Sequence, residues 1–230
     1  MLLTRRLLQL FVGLFLYGVA IALMVRAGIG VAPWDVLTQG IVRQTGLGFG
    51  LVVFLTSVLV LLLWIPLRQR PRFGTIANAL LVGPFADLGL HVLPQQTVWW
   101  AQGLTFALGL LLLAAASGLY IGAAFGPGPR DGLMLGLHRR FGVRVGVART
   151  AIEVTVLAIG WLLGGQVGIG TALEAVLIGP MVAFALPLFA PRATRVAAAG
   201  QGSAPAPSTG STTASGTPTG PVPTTPSTAA

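Results

Sequence analysis

Two short stretches of this chain combine a break in the backbone pattern with a carboxylate. The first is Ala27-Gly28-Ile29-Gly30-Val31-Ala32-Pro33-Trp34-Asp35, and the second is Ala123-Ala124-Phe125-Gly126-Pro127-Gly128-Pro129-Arg130-Asp131. The glycines (Gly30, Gly126, Gly128) interrupt a helix. The prolines (Pro33, Pro127, Pro129) suit the opening turn of a new one, where a missing N–H is no loss. Asp35 and Asp131 then fall near the third helical position, close to the positive end of the helix dipole. In the second stretch Leu133, Leu137 and Phe141 recur every four residues, and Leu37 and Ile41 match the first two. Two readings stay open. Both aspartates cap short helices lying at a membrane surface, or the short helices are re-entrant and bring the aspartates to a shared cavity. In the second case the chemistry is reversible binding of an ion or small solute, with Arg130 available as a partner for an anion.

The chain has only five acidic residues, so the other three can be weighed singly. Asp87, Glu153 and Glu174 lie in apolar runs, where an ionised group costs at least ~2.5 kcal/mol unless paired or hydrated. Glu153 follows Arg149 by one turn, an ordinary i, i+4 ion pair. Asp87 sits toward one end of its run, where solvation is the default. Glu174 aligns with Asn78, each one turn after a Gly-Thr pair. It forms either an interhelix hydrogen bond or an ion or substrate contact. With no cysteine, and with His91 and His138 isolated, no metal site or thiol chemistry is expected. No phosphate-binding glycine loop, Gly-x-Ser-x-Gly or zinc pattern occurs. The chain reads as a non-enzyme without a cofactor.

The elements that must position these residues are membrane spans. Apolar residues make up 54% of the chain and charged ones 8%, against roughly 25% charged in a typical soluble domain. Six runs, at about 7–25, 49–65, 75–93, 98–121, 143–163 and 169–189, approach the ~20 residues needed to cross a ~30 Å hydrocarbon core. The first is too long for a signal-peptide core and recurs mid-chain, so it reads as a retained span. All fourteen basic residues are arginines that fall between the runs rather than in one patch. That distribution argues topology rather than nucleic-acid binding. Twelve of them (Arg5, Arg6, Arg68, Arg70, Arg72, Arg130, Arg139, Arg140, Arg144, Arg149, Arg192 and Arg195) fall on the side of the N-terminus, and two (Arg26, Arg43) on the other. Both termini are therefore expected in the cytoplasm, with a membrane domain over 1–195 and a disordered Ala/Gly/Pro/Ser/Thr-rich tail over 196–230.

The chain also repeats itself at an offset of 96 residues. Gly30, Pro33 and Asp35 match Gly126, Pro129 and Asp131. Gly46 and Gly50 match Gly142 and Gly146, Gly74-Thr75 matches Gly170-Thr171, and Gly83-Pro84 matches Gly179-Pro180. Three spans per repeat force the second copy to enter the bilayer from the opposite side. Arg68-Gln69-Arg70-Pro71-Arg72 aligns with Gly164-Gly165-Gln166-Val167-Gly168, while Gln44 and Gly48 align with Arg140 and Arg144. Matched loops thus carry the charge that each side demands. The predicted fold is an all-α membrane protein of six transmembrane helices. They form two inverted-topology repeats (about 7–94 and 98–190), each with a short broken or re-entrant helix.

Gly30-Val31-Ala32-Pro33-Trp34-Asp35-Val36-Leu37, Trp64-Ile65-Pro66-Leu67-Arg68-Gln69-Arg70-Pro71, Ser117-Gly118-Leu119-Tyr120-Ile121-Gly122 and Gly126-Pro127-Gly128-Pro129-Arg130-Asp131-Gly132-Leu133-Met134 carry a resemblance. Together they resemble the YczE group of bacterial membrane proteins, within the YczE/YyaS/YitT assemblage, over 13–186. The resemblance implies a multi-pass protein of the bacterial cytoplasmic membrane and transfers no mechanism. The leading expectation is a secondary transporter or permease for a small solute or proton. Its site would lie at the repeat interface near Asp35, Asp131, Asn78 and Glu174, with Arg130 beside them. The alternative is a non-transporting scaffold or regulatory protein in the bilayer, whose repeat is architecture alone.

Overall fold

The computed structural model describes residues 2–189, so the predicted tail over 196–230, with Arg192 and Arg195 before and at its border, lies outside the described residues. Those residues form eight α-helices: α1 (Leu2–Ala27), α2 (Pro33–Thr45), α3 (Phe49–Leu63), α4 (Phe73–Val92), α5 (Trp99–Gly122), α6 (Pro129–Phe141), α7 (Val145–Leu162) and α8 (Ile169–Phe189). No strand occurs among them. The long helices match the predicted spans to within a few residues, because apolar runs of that length have one way to satisfy their backbone in a bilayer. Five of them, α1, α4, α5, α7 and α8, are long and apolar enough to cross a membrane. The sequence predicts a sixth span over 49–65, but α3 has only 15 residues, about 22 Å at 1.5 Å per residue. It reaches six only if α2 and α3, bent by 116° at a short break, count as one broken span. The outer faces carry exposed Leu59, Leu111, Trp161 and Phe184, as a lipid-facing surface requires.

Proline and glycine set the bounds of the short helices. Pro33 and Pro129 open α2 and α6 at the first turn, and each helix ends on a left-handed glycine, Gly46 (φ 72°) and Gly142 (φ 70°). Before each opening the chain makes the same reversal. Gly30 takes φ 118° and Gly126 φ 119°, while Gly28 (φ 73°) is matched by Ala124 (φ 60°). These turns are held by the opposite half of the molecule. The Gly170 N–H donates to Ile29 O at 2.9 Å, and the Gly74 N–H donates to Phe125 O at 3.1 Å. The Thr75 hydroxyl donates to Pro127 O at 2.8 Å. Thr171 packs against Gly30 so closely that a Cβ there would lie 2.8 Å from its hydroxyl oxygen.

At the centre α1 and α5 run against each other, flanked by α4 on α1 and α8 on α5. Their backbones approach closely because glycine lines the contacts, the usual route to helix association where no hydrophobic drive exists. A Cβ on Gly18 would lie 2.5 Å from Phe85 Cβ and 2.8 Å from Ala86 N. Leu10, Leu14 and Ile21 of α1 fill the adjoining core.

The halves differ in how their third and fourth helices meet. In the first half α3 packs on α4, with Gly50 and Gly83 in backbone contact. Asp87 reinforces this contact: its carboxylate accepts the Gly50 N–H at 2.8 Å. Asp87 is half-exposed, in keeping with the solvation expected at the end of its run, and its Oδ1 also satisfies a free N–H in the first turn of α3. In the second half the matching Gly146 and Gly179 have nothing within 4 Å of where a Cβ would sit. There α7 leans on α2 instead of α8, because Gly160 lets its backbone approach Val36 and Leu37. The residue matching Gly160 is Trp64, whose indole fills the space above Gly132 and donates to Pro129 O at 3.1 Å.

Two stability outcomes follow from this packing. Gly18→Ala should destabilise by about 1–3 kcal/mol through overpacking, lowering the thermal midpoint in detergent, whereas Gly103→Ala, in open space, should leave it unchanged or raise it. Thr75→Val keeps the shape of a fully buried side chain but orphans Pro127 O, which costs about 1–3 kcal/mol. Thr75→Ser should restore most of that loss in the same melt.

Candidate functional site

The reversals before α2 and α6 bring the openings of both short helices to the middle of the bundle, and the polar residues of the chain collect there. A cavity of about 160 Å³ is lined by Asp35, Arg130, Asp131 and Glu174, together with Tyr17 and Tyr120. Four of the five predicted site residues thus share one cavity. Asn78 lies in an adjoining cavity of about 50 Å³ that Arg130, Asp131 and Tyr120 also border. Each aspartate faces the polar residue that follows Gly-Thr in the opposite half, Asp35 toward Glu174 and Asp131 toward Asn78.

The two aspartates occupy the same helical position but not the same environment. Asp35 is 3% exposed. Its Oδ1 lies 3.9 Å from the Arg130 Nη1 and has no hydrogen bond. The Arg130 guanidinium sits over the Trp34 ring, 5.0 Å from its centroid, within cation–π range. Arg130 therefore rests on an aromatic face and near a carboxylate, rather than standing free for an anion. Asp131 is exposed, and its Oδ2 accepts a 2.8 Å bond from the Tyr120 hydroxyl. Tyr120 stacks edge-on against Tyr17 at 5.8 Å. Both aspartates line the same cavity, but Asp35 is buried beside Arg130, while Asp131 is exposed and tied to a tyrosine.

Glu174 is 7% exposed, and no hydrogen bond to it is formed within the described residues. The interhelix hydrogen bond that the sequence allowed is not made there, and its carboxylate faces the cavity. The Arg149–Glu153 pair forms at 2.9 Å, as an i, i+4 pair. It sits at the cavity's half-exposed edge, beside Gly179 and Val182 of α8. The cavity lining thus runs from this pair, between α7 and α8, to Asp35. Among the described residues no group of three or more His, Asp and Glu could hold a metal ion.

Sequence reasoning did not single out Tyr17, Tyr120 or Trp34. A signal for the first two was present: the chain has only two tyrosines, both in apolar helices, and a buried phenol needs a partner for its hydroxyl. Trp34 could be found only once Arg130 was known to reach it from the other half.

Comparison with known proteins places the sequence in a family. Residues 4–187 match the family of unknown function DUF6198. An uncharacterized protein of Haemophilus influenzae is 38% identical over 79% of this chain and 83% of its own length. The uncharacterized membrane protein YczE of Bacillus subtilis is 31% identical over 77% of this chain and 83% of its own. The uncharacterized protein YyaS of the same organism is 27% identical, covering 77% and 90%. No solved structure matches. With its apolar helices, its central polar breaks and matched sequence over four fifths of its length, the chain belongs to the DUF6198 family of YczE-like membrane proteins.

Proposed function

We propose that this protein is a secondary transporter or related permease for a small solute, with its site between two inverted-topology halves in the bacterial cytoplasmic membrane. The observation that carries the reading is the cavity itself. Two buried carboxylates, Asp35 and Glu174, and the Arg130 guanidinium wall a polar space inside a largely apolar bundle, with Asp131 and the Arg149–Glu153 pair also lining it. Ionisable groups inside a membrane are costly and mark ion or substrate pathways. Broken helices at corresponding positions of two repeats are where such sites form. The inverted arrangement is supported by three spans in each repeat when α2 and α3 count as one, by an arginine bias of the kind that puts both termini in the cytoplasm, and by the matched turns at Gly30 and Gly126. A scaffold would have no use for a polar cavity between its halves.

The unequal glycine pairs supply a transport cycle. Gly50 and Gly83 touch and close the α3–α4 side, while Gly146 and Gly179 stand apart and leave the α7–α8 side open. In a second state the contacts exchange, so that α7 closes on α8 and the cavity opens at the other end. A helix glycine costs up to about 1 kcal/mol relative to alanine, and Gly179, in mid-helix with no neighbour to accommodate, has a reason in that second state.

Two measurements test this. In proteoliposomes loaded with a pH-sensitive dye and screened against a panel of solutes, Asp35→Asn combined with Asp131→Asn should reduce solute-driven or proton-coupled flux at least ~10-fold, the order expected when a buried polar contact is lost. Unchanged flux would sink the site assignment. Gly146→Leu projects into empty space, so the thermal midpoint should hold while flux is lost, because the closed α7–α8 state can no longer form. Retained flux in that variant would rule out the exchange of glycine contacts.

A further inference from the structure

We infer that the cavity's ligand is a small organic cation, which competes with the Arg130 guanidinium for a seat formed by the Trp34 ring and the Asp35 carboxylate. This rests on the cavity being the ligand site of the permease proposed above, and adds the class of the solute.

Trp34 and Asp35 are consecutive residues in the first turn of α2. Together they offer an aromatic face and a negative charge, the two elements that recognise an organic cation. Arg130, from the opposite half, occupies that seat incompletely. Its Nη1 is 3.9 Å from Asp35 Oδ1, beyond hydrogen-bond range, although arginine and a carboxylate readily form a bidentate pair when geometry allows. Asp35 Oδ1 is left buried without a hydrogen bond, an expensive state for a carboxylate oxygen. A tethered cation that rests near a carboxylate without engaging it is a competitor easily displaced.

The remaining charges agree on sign. Arg149 and Glu153 neutralise each other. Asp131 is bound by Tyr120. That leaves the buried Asp35 and Glu174 facing one guanidinium. An anionic or neutral ligand would leave these carboxylates unanswered, whereas a cation answers them. The aromatic walls of Trp34, Tyr17 and Tyr120 favour a polyatomic, weakly hydrated cation over a metal ion, and the volume of about 160 Å³ limits it to a few heavy atoms.

The test is binding to the full chain in nanodiscs, titrated with guanidinium chloride and tetramethylammonium chloride, with sodium chloride at matched ionic strength and sodium sulfate as controls. The unmodified chain should bind at least one organic cation saturably and neither control. Arg130→Gln should bind about tenfold more tightly, since the competing state is removed. Trp34→Leu should weaken binding about 3- to 30-fold, the range of a desolvated cation–π contact, and Asp35→Asn should abolish it. If Asp35→Asn does not fold, Glu174→Gln should still weaken binding. Saturable sulfate binding, or weaker binding by Arg130→Gln, would make Arg130 the ligand-holding group and overturn the inference. Cation binding seen only in Arg130→Gln would also overturn it, because Arg130 would then be a fixed structural partner. Binding without flux in proteoliposomes defeats the permease reading alone, whereas flux of a solute with no cation binding defeats this inference alone.

Discussion

The architecture depends on a crossed contact: the broken turn before each short helix is held by the first turn of the last long helix in the other half. Gly170 N–H reaches Ile29 O and Gly74 N–H reaches Phe125 O, with Thr75 and Thr171 seated against the same turns. Irregular backbone is tolerated at membrane depth only where protein, rather than lipid, satisfies its N–H and C=O groups. The donors freed at a helix N-terminus and the carbonyls freed at a helix break meet that requirement mutually. Neither half can form its own break, so the two must fold onto each other, and the openings of α2 and α6 are carried inward together.

Everything polar in the site follows from that convergence. Asp35 is buried against Arg130 because both lie in the first turn of helices brought to the same level from different halves. Tyr120 reaches Asp131 because α5 leads directly into the break that precedes α6. Among the positions at which the halves differ, 64 and 160 bear directly on where the third helix of each half packs. Gly160 lets α7 sink onto α2, while Trp64 holds α3 away from α6. The result is a bundle with one tight helix pair, at Gly50 and Gly83, and one loose pair, α7 and α8, whose residues Glu153, Glu174 and Gly179 line the cavity. This inequality, set within matched backbone turns, is what gives a transport reading its physical content.

Much of the fold was legible from local chemistry. The long apolar runs became helices, Pro33 and Pro129 opened the short ones, and Arg149 paired with Glu153, since each depends on residues within a turn or on solubility in lipid. The partner of Asp87 was not legible for the complementary reason: the Gly50 N–H is 37 residues away and becomes available only when α3 packs on α4. The run over 49–65 became α3, which ends at Leu63, and a sixth span is reached by counting the bent α2–α3 pair as one. Of the site, the acids could be found from their rarity and position and the two tyrosines from theirs, but the seat of Arg130 on Trp34 could not, since it joins different halves.

By itself the sequence determined that this is an all-helical, multi-pass chain with two broken segments, and which carboxylates those segments carry. Period, proline and charge scarcity act through short-range sterics and through the bilayer, and need no knowledge of neighbours. Only the tertiary structure decided that Asp35 is buried and Asp131 open, that Arg130 rests on Trp34, and that one glycine pair touches while its match stands apart. Those facts depend on which backbones approach within a few ångströms, and a single side chain, indole or hydrogen, at positions 64 and 160 changes that answer.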